Sequence, residues 1–304
     1  MSYYTQRHGL RQPVEKTYDI TYEMYAMLFD CCEKYFENIA CKYPEECPDG
    51  NGCCGISYSK FNNALTFEIP TLFKDGRGCI AKPQRATGYY DGDDDQYDQY
   101  ALLDLIELIA NEAYDIKTRN WHSYYRHDDI GFSNTVNVRN EFRSDINDIF
   151  SKTGLLYELK SNGMVERIVE NTPLSSEIER SISSITEKGT RELLQEAILD
   201  YKMPHPSARR DAVEKIWDAL ERLKTYYTSL DKKASAQKVV GNMANGNSNY
   251  EQLFNDEFMA LTKIGNTYRI RHHETDKIDI TDSRYYDYFF NRCLSLIALA
   301  IQYL

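Results

Sequence analysis

Apolar residues recur at helical spacing over most of the chain, and the longest stripes set the first expectations. From Tyr18 to Ile39 the positions Ile20, Met24, Met27, Leu28, Cys31, Tyr35 and Ile39 share one face, predicting an amphipathic first helix. Pro44 to Gly55, rich in Pro, Gly, Asp and Cys, reads as an irregular loop, and Ala64 to Ile69 reads as a short strand. Helices are predicted over 100–114 and 138–152. Between Gly154 and Val169 two short alternating runs flank Ser161-Asn162-Gly163, and Asn-Gly between such runs is a strong hairpin signal. A lone hairpin is marginal in water, so this one is expected to pack on helices or pair with another strand.

Thr172-Pro173 reads as an N-cap followed by proline at the first helical position, opening a helical second half. Helices are expected at 174–186 and 189–201, and Pro204-His205-Pro206 ends the second and launches a third. On that third helix Val213, Ile216, Trp217, Leu220, Leu223 and Tyr227 share a face. On the other, Asp211 with Lys215 and Asp218 with Arg222 are opposite charges four apart. Gly241 to Asn249 reads as a linker, and helices at 250–264 and 283–303 close the chain. The last is apolar around much of its girth, through Tyr285, Phe289, Leu296 and the run Ile297 to Leu304, as expected of a helix buried on several sides or at a subunit contact. The expected fold is therefore mostly α, in two domains, 1–172 with a small β-hairpin element and 173–304 as a helical bundle.

A length of 304 residues fits two domains, and 42% hydrophobic with 27% charged residues is ordinary for a folded protein. The net charge of −11 excludes a protein that coats nucleic acid through general positive charge and confines any such contact to a local basic site. The polar start MSYYTQRHGL lacks the apolar core of a signal peptide. Cys293 to Ile301, the most apolar stretch, is far shorter than the ~20 residues a bilayer span needs. A cytoplasmic protein without a membrane anchor is expected.

Seven of the eight cysteines lie between residues 31 and 79. Without a secretory signal, disulfides are disfavoured, leaving zinc or plain thiols for Cys41, Cys47, Cys53, Cys54 and Cys79. Their spacing fits no standard zinc pattern, so thiols are the expectation and no metal or cofactor is assigned. The adjacent pairs Cys31-Cys32 and Cys53-Cys54 are given no redox role. The acidic run Asp91 to Asp98 resembles a calcium loop, but its sixth and twelfth positions, Gln96 and Leu102, are not the glycine and glutamate that loop requires. It reads as a solvated loop.

Between the last two predicted helices lies GNTYRIRHHETDK, 265–277, where two of the six histidines adjoin two arginines and a carboxylate. Guanidinium forks suit phosphate, and imidazoles exchange protons near neutral pH. RNA cleavage without a metal needs a base for the 2′-hydroxyl, an acid for the leaving 5′-oxygen and a cation over the phosphate. Two copies of one Arg/His segment supply all three. Arg269, Arg271, His272 and His273 are therefore the candidate catalytic residues, His273 first as acid or base. The competing reading is structural: the same segment caps the carbonyl end of the preceding helix and pairs with acidic neighbours. Trp121-His122 and Arg126-His127-Asp128-Asp129 form a second aromatic and polar patch, read as surface loop. No Gly-rich phosphate loop, GxSxG, HExxH or GxGxxG is present, and no compact Asp/Glu/Lys constellation marks a two-metal nuclease.

The segments DAVEKIWDALERLKT at 211–225 and LTKIGNTYRIRHHE at 261–274, together with SYYTQRHGL at 2–10, resemble bacterial abortive-infection proteins of the AbiJ type. The resemblance implies a C-terminal HEPN-like domain, an all-helical fold that often works as a dimeric, metal-independent ribonuclease and would halt phage growth. Its implied partners are RNA, a second copy of the chain and a regulatory protein. The HEPN signature places four to six residues between arginine and histidine, whereas three separate Arg269 from His273 and one separates Arg271 from it. A non-catalytic sensor or binding module using the same segment is the alternative.

Overall fold

A computed structural model describes residues 4–10, 14–50, 52–86, 93–170, 172–271 and 275–304. The chain is mostly α with a small amount of antiparallel sheet, and it divides into two compact units, Met1–Ile168 and Val169–Leu304. No helix among the described residues is long and apolar enough to cross a membrane.

The first unit runs α1 (Tyr4–Arg7), α2 (Tyr22–Glu33), β1 (Pro44–Glu46), β2 (Cys53–Ile56), α3 (Tyr58–Glu68), α4 (Gln99–Glu112), β3 (Ile116–His122), β4 (His127–Phe132), α5 (Val136–Thr153), β5 (Tyr157–Leu159) and β6 (Val165–Arg167). Its core joins Tyr25 and Leu28 of α2, Phe61 and Leu65 of α3, Leu102 and Ile106 of α4, and Phe142 and Ile146 of α5. The predicted first helix is shorter than its stripe. Thr21 caps it by accepting from the Met24 amide, and beyond Glu33 the chain tightens into a 3-10 turn at Phe36–Ile39. Met27, counted in the apolar stripe, is exposed.

Two local expectations are overturned. The loop predicted from Pro44 to Gly55 holds the hairpin β1–β2, and the strand predicted at Ala64 to Ile69 is the second half of α3. Phe61 and Leu65, one helical turn apart, both reach the core, while Phe67 is exposed. Burial at helical spacing outweighs the β-leaning residues in that window. The predicted Asn-Gly hairpin is present as β5–β6, with Gly163 at φ +80° and the Lys160 amide donating to the Met164 carbonyl. It packs against α4 and α5.

The larger sheet has the order β1-β2-β4-β3, all antiparallel. Two hairpins thus lie side by side, joined through the pair Cys53 and Ile130. That juxtaposition sets the loop after β1 against the turn between β3 and β4.

The second unit is helical: α6 (Ser176–Ser183), α7 (Lys188–Lys202), α8 (Pro206–Leu223), α9 (Lys232–Ala244), α10 (Ser248–Thr267) and α11 (Ser283–Ala300), with a final 3-10 turn at Ile301–Tyr303. Ser175, not Thr172, caps α6 by accepting from the Ile178 amide; the Thr172 hydroxyl instead accepts from Leu174 N–H and donates to Asn291. The stripe of α8 is buried from Val213 to Leu223 against α7 and α11 as its spacing predicts, but the helix ends at Leu223, so Tyr227, counted in that stripe, lies beyond it and is half-buried. The charge pairs predicted along its outer face give way to partners on other elements: Lys215 pairs with Glu196, Arg222 with Glu187 and Asp218 with Arg271. The predicted linker at 241–249 is largely the end of α9, whose left-handed cap is Asn245, and the start of α10. The final helix buries Phe290, Cys293, Leu294 and Ile297 within its own unit, and Phe290 stacks on Tyr201 of α7 with centroids 3.8 Å apart.

Candidate functional sites

The segment singled out in the second unit leaves α10 at Tyr268. It is fastened from both sides: Arg269 N–H donates to the Ile278 carbonyl, Ile278 N–H to the Thr267 carbonyl, and Lys277 Nζ to the Gly265 carbonyl. Ile270 is fully buried, so the residues on either side of it turn outward. Beneath, Gly265 has no Cβ because Trp217 Nε1 lies 2.5 Å from where one would stand, and that indole donates to the Leu261 carbonyl. The backbone carrying the two arginines is therefore anchored on α8 and α10.

Both guanidinium groups meet carboxylates. Arg269 Nη1 donates to Asp279 at 2.9 Å, and Arg271 donates from Nη2 at 2.8 Å and Nε at 3.3 Å to one oxygen of Asp218 on α8. Their side chains stay about a third exposed, at 35% and 34%. The sequence places the arginines beside acidic partners only in general terms, since Asp218 is 53 positions from Arg271 and its spacing along α8 points to Arg222. His272 and His273, the expected acid and base, lie outside the described residues.

A second constellation forms in the first unit, where the two hairpins meet. His122 and His127 are directly opposite across β3–β4, which sets both imidazoles on one face, with ring centroids 5.3 Å apart. Asp129 is two residues along β4 from His127 and so projects to that same face. The loop following β1 brings in Cys47. Its thiol lies 3.3 Å from His122 Nδ1 and 3.2 Å from His127 Nε2. Asp129 approaches His122 Nε2 at 2.9 Å and His127 Nε2 at 3.9 Å. One ligand-type atom from each of Cys47, His122, His127 and Asp129 lies within 4.8 Å of every other.

The surroundings hold this arrangement. The Cys47 amide donates to the Gly52 carbonyl and the Gly50 amide to the Cys47 carbonyl, closing the loop tightly, with Gly50 at φ +77°. Gly52 leaves room for the Asp129 carboxylate, whose Oδ1 would lie 2.7 Å from a Cβ there. Cys47 is 2% and Asp129 6% exposed, and Asp129 Oδ1 is buried with no hydrogen-bond partner. Burial, followed by the hydrogen bond with Asp49, raises the pKa of the Cys47 thiol. The other thiols weighed for zinc stand apart. Cys41 and Cys79 are exposed, and the Cys53 and Cys54 thiols donate to the carbonyls of Gly55 and Glu45.

Each half of this cluster was visible in the chain, as a cysteine-rich loop and as the patch at 121–129 read as surface. The overlooked signal is His122-x4-His127, a spacing that recurs in zinc sites. Its cysteine partner, 75 residues earlier, follows only from the pairing of the hairpins.

No curated protein and no solved structure matches the chain. A family model does: residues 2–184, well over half of the 304, match the one described as AbiJ N-terminal domain 4, and the chain belongs to that family of abortive-infection proteins.

Proposed function

We propose that this protein is a phage-defence effector working in the cytoplasm, whose C-terminal part is HEPN-like and acts on RNA through the segment Arg269–His273. The observation that carries the reading is the union in one chain of an AbiJ-type region at 2–184 with a helical unit in which α10 and α11 bracket an Arg/His segment. Arrest of an infected cell needs an output harmful to that cell, and RNA cleavage without a metal is chemistry these side chains can supply. His273 takes or gives the proton, His272 assists from the next position, and Arg269 and Arg271 carry positive charge to the phosphate. An RNA phosphate would replace the carboxylates of Asp279 and Asp218 as acceptor of the same guanidinium donors, exchanging one charge-assisted pair for another. Two copies of the chain complete the set of acid and base.

The test is growth of phage-challenged cells expressing the protein, alongside cleavage of RNA by the purified chain in the presence of a chelator. Wild type should arrest growth and cleave RNA, and His273→Ala should do neither. Full toxicity in both His272→Ala and His273→Ala would remove the nuclease.

The pairing of both arginines with carboxylates favours a second reading, a non-catalytic module that recognises a phosphate-bearing ligand or a partner protein. In that case the purified chain binds RNA without cleaving it, and binding survives His273→Ala but not Arg271→Ala.

A further inference from the structure

We propose that Cys47, His122, His127 and Asp129 form a zinc site that clips together the two hairpins of the first unit. The donor set is the first argument. One thiolate, two imidazoles and one carboxylate suit Zn²⁺, while the thiolate and imidazoles argue against magnesium and calcium, which take oxygen ligands. Metal–ligand bonds of 2.0–2.3 Å give a tetrahedron with edges of about 3.3–3.8 Å. Cys47 Sγ is 3.3 Å from His122 Nδ1 and 3.2 Å from His127 Nε2, and Asp129 Oδ1 is 3.9 Å from His127 Nε2, all near that range.

The buried carboxylate is the second argument. Asp129 is 6% exposed, and its Oδ1 has no hydrogen-bond partner. A buried carboxylate oxygen left so is costly, and a cation between Cys47 and the histidines satisfies it. Charge closes as well. On binding, Cys47 gives up its thiol proton to solvent, so one thiolate and one carboxylate neutralise the dication while both histidines ligate as neutral rings.

The rival chemistry is a cysteine nucleophile with a histidine base. It fits less well: Cys47 is 2% exposed, and two imidazoles converge on its sulfur where a nucleophile needs one base and an open approach. With four protein ligands and no open position, the site is structural. It ties the loop after β1 to the β3–β4 turn, where the hairpins otherwise share the pair Cys53 and Ile130. It does not depend on the nuclease reading.

The full-length chain, purified after growth in zinc-supplemented medium, should carry one zinc per chain by elemental analysis. Cys47→Ser and His127→Gln should each lose it, while Cys41→Ser and Cys79→Ser, exposed thiols outside the cluster, should keep it. Cobalt in place of zinc should give the intense visible bands of a tetrahedral, thiolate-bound ion. Because ligand variants can fail to fold, the wild type is also melted with and without chelator: the transition should fall on chelation and recover when zinc is restored. A wild type that holds no stoichiometric zinc, equal zinc in Cys47→Ser, or a melting transition indifferent to chelation would each overturn the proposal.

Discussion

Arg271 directs two donors, Nη2 and Nε, at a single oxygen of Asp218, so the segment after α10 is tied to the middle of the unit's central helix. Both side chains are about a third exposed, at 34% and 38%, which places the pair among partly solvated bridges of up to about 1 kcal/mol. Asp218→Asn should therefore leave the melting temperature nearly unchanged. It removes the charge competing with phosphate, so binding of a short labelled RNA, followed by anisotropy at low salt, should tighten several-fold. Weaker binding would mean that Asp218 positions the arginine rather than masking it.

Glu187 serves two partners at once. Its carboxylate accepts from the Gly189 and Thr190 amides, capping α7, and takes both prongs of the Arg222 guanidinium at 2.9 and 2.8 Å. Arg222 first, opposed by burial and then supported by Thr190, holds this carboxyl far below the usual range. A depressed folded-state pKa contributes stability above the unfolded value, about 4.3, and loses it as pH falls below that toward the folded value. Arg222 is half exposed, so the contribution is screened to about 1–2 kcal/mol for cap and bridge together. Glu187→Gln should melt below wild type near neutral pH, and the gap should narrow as the pH drops through about 4. A gap constant with pH would show that the lost cap geometry, not the charge, sets the cost.

The elements legible in the chain were those whose own residues specify them. The α8 stripe of Val213, Ile216, Trp217 and Leu220 is buried, and Asn162-Gly163 turns a hairpin because glycine there adopts φ +80°. Where a window supports two structures, packing decides. Leu65 to Ile69 alternates like a strand, yet Phe61 and Leu65 reach the core only from a helix. Gly241 and Asn245 look like a linker but end α9, because asparagine tolerates the left-handed cap at φ +46°. The zinc ligands were least legible, since His122 and His127 are local to one hairpin while Cys47 arrives through sheet pairing 75 residues away.

Gly154 tests how tightly α5 is closed against the start of the chain. It caps α5 at φ +78°, and a Cβ there would stand 2.3 Å from the Glu15 carbonyl, which is backbone and cannot swing aside. Gly163 has nearly the same φ, but its Cβ would meet the Asn111 side chain, which can move. Both alanine substitutions should destabilise, Gly154→Ala by well over about 1 kcal/mol and Gly163→Ala by less. Urea unfolding of the two variants checks the order, and a reversal would mean that the backbone at Glu15 yields more readily than the asparagine side chain.

Gly52 makes a prediction about the zinc site without altering a ligand. Its backbone is not in the left-handed region, so alanine brings no conformational strain. The added Cβ would stand 2.7 Å from Asp129 Oδ1 and 2.8 Å from its Cγ, so the carboxylate must leave its place beside the histidines. Supporting residues around a metal change affinity by about 10–100-fold, and Gly52→Ala should weaken zinc binding by that order in competition with a chromogenic chelator. Gly76→Ala, where no atom lies within 4 Å of the new methyl group, should bind as wild type does. If Gly52→Ala keeps full affinity while Cys47→Ser loses it, the ion is held by sulfur and nitrogen alone and the unpartnered oxygen of Asp129 must be accounted for differently.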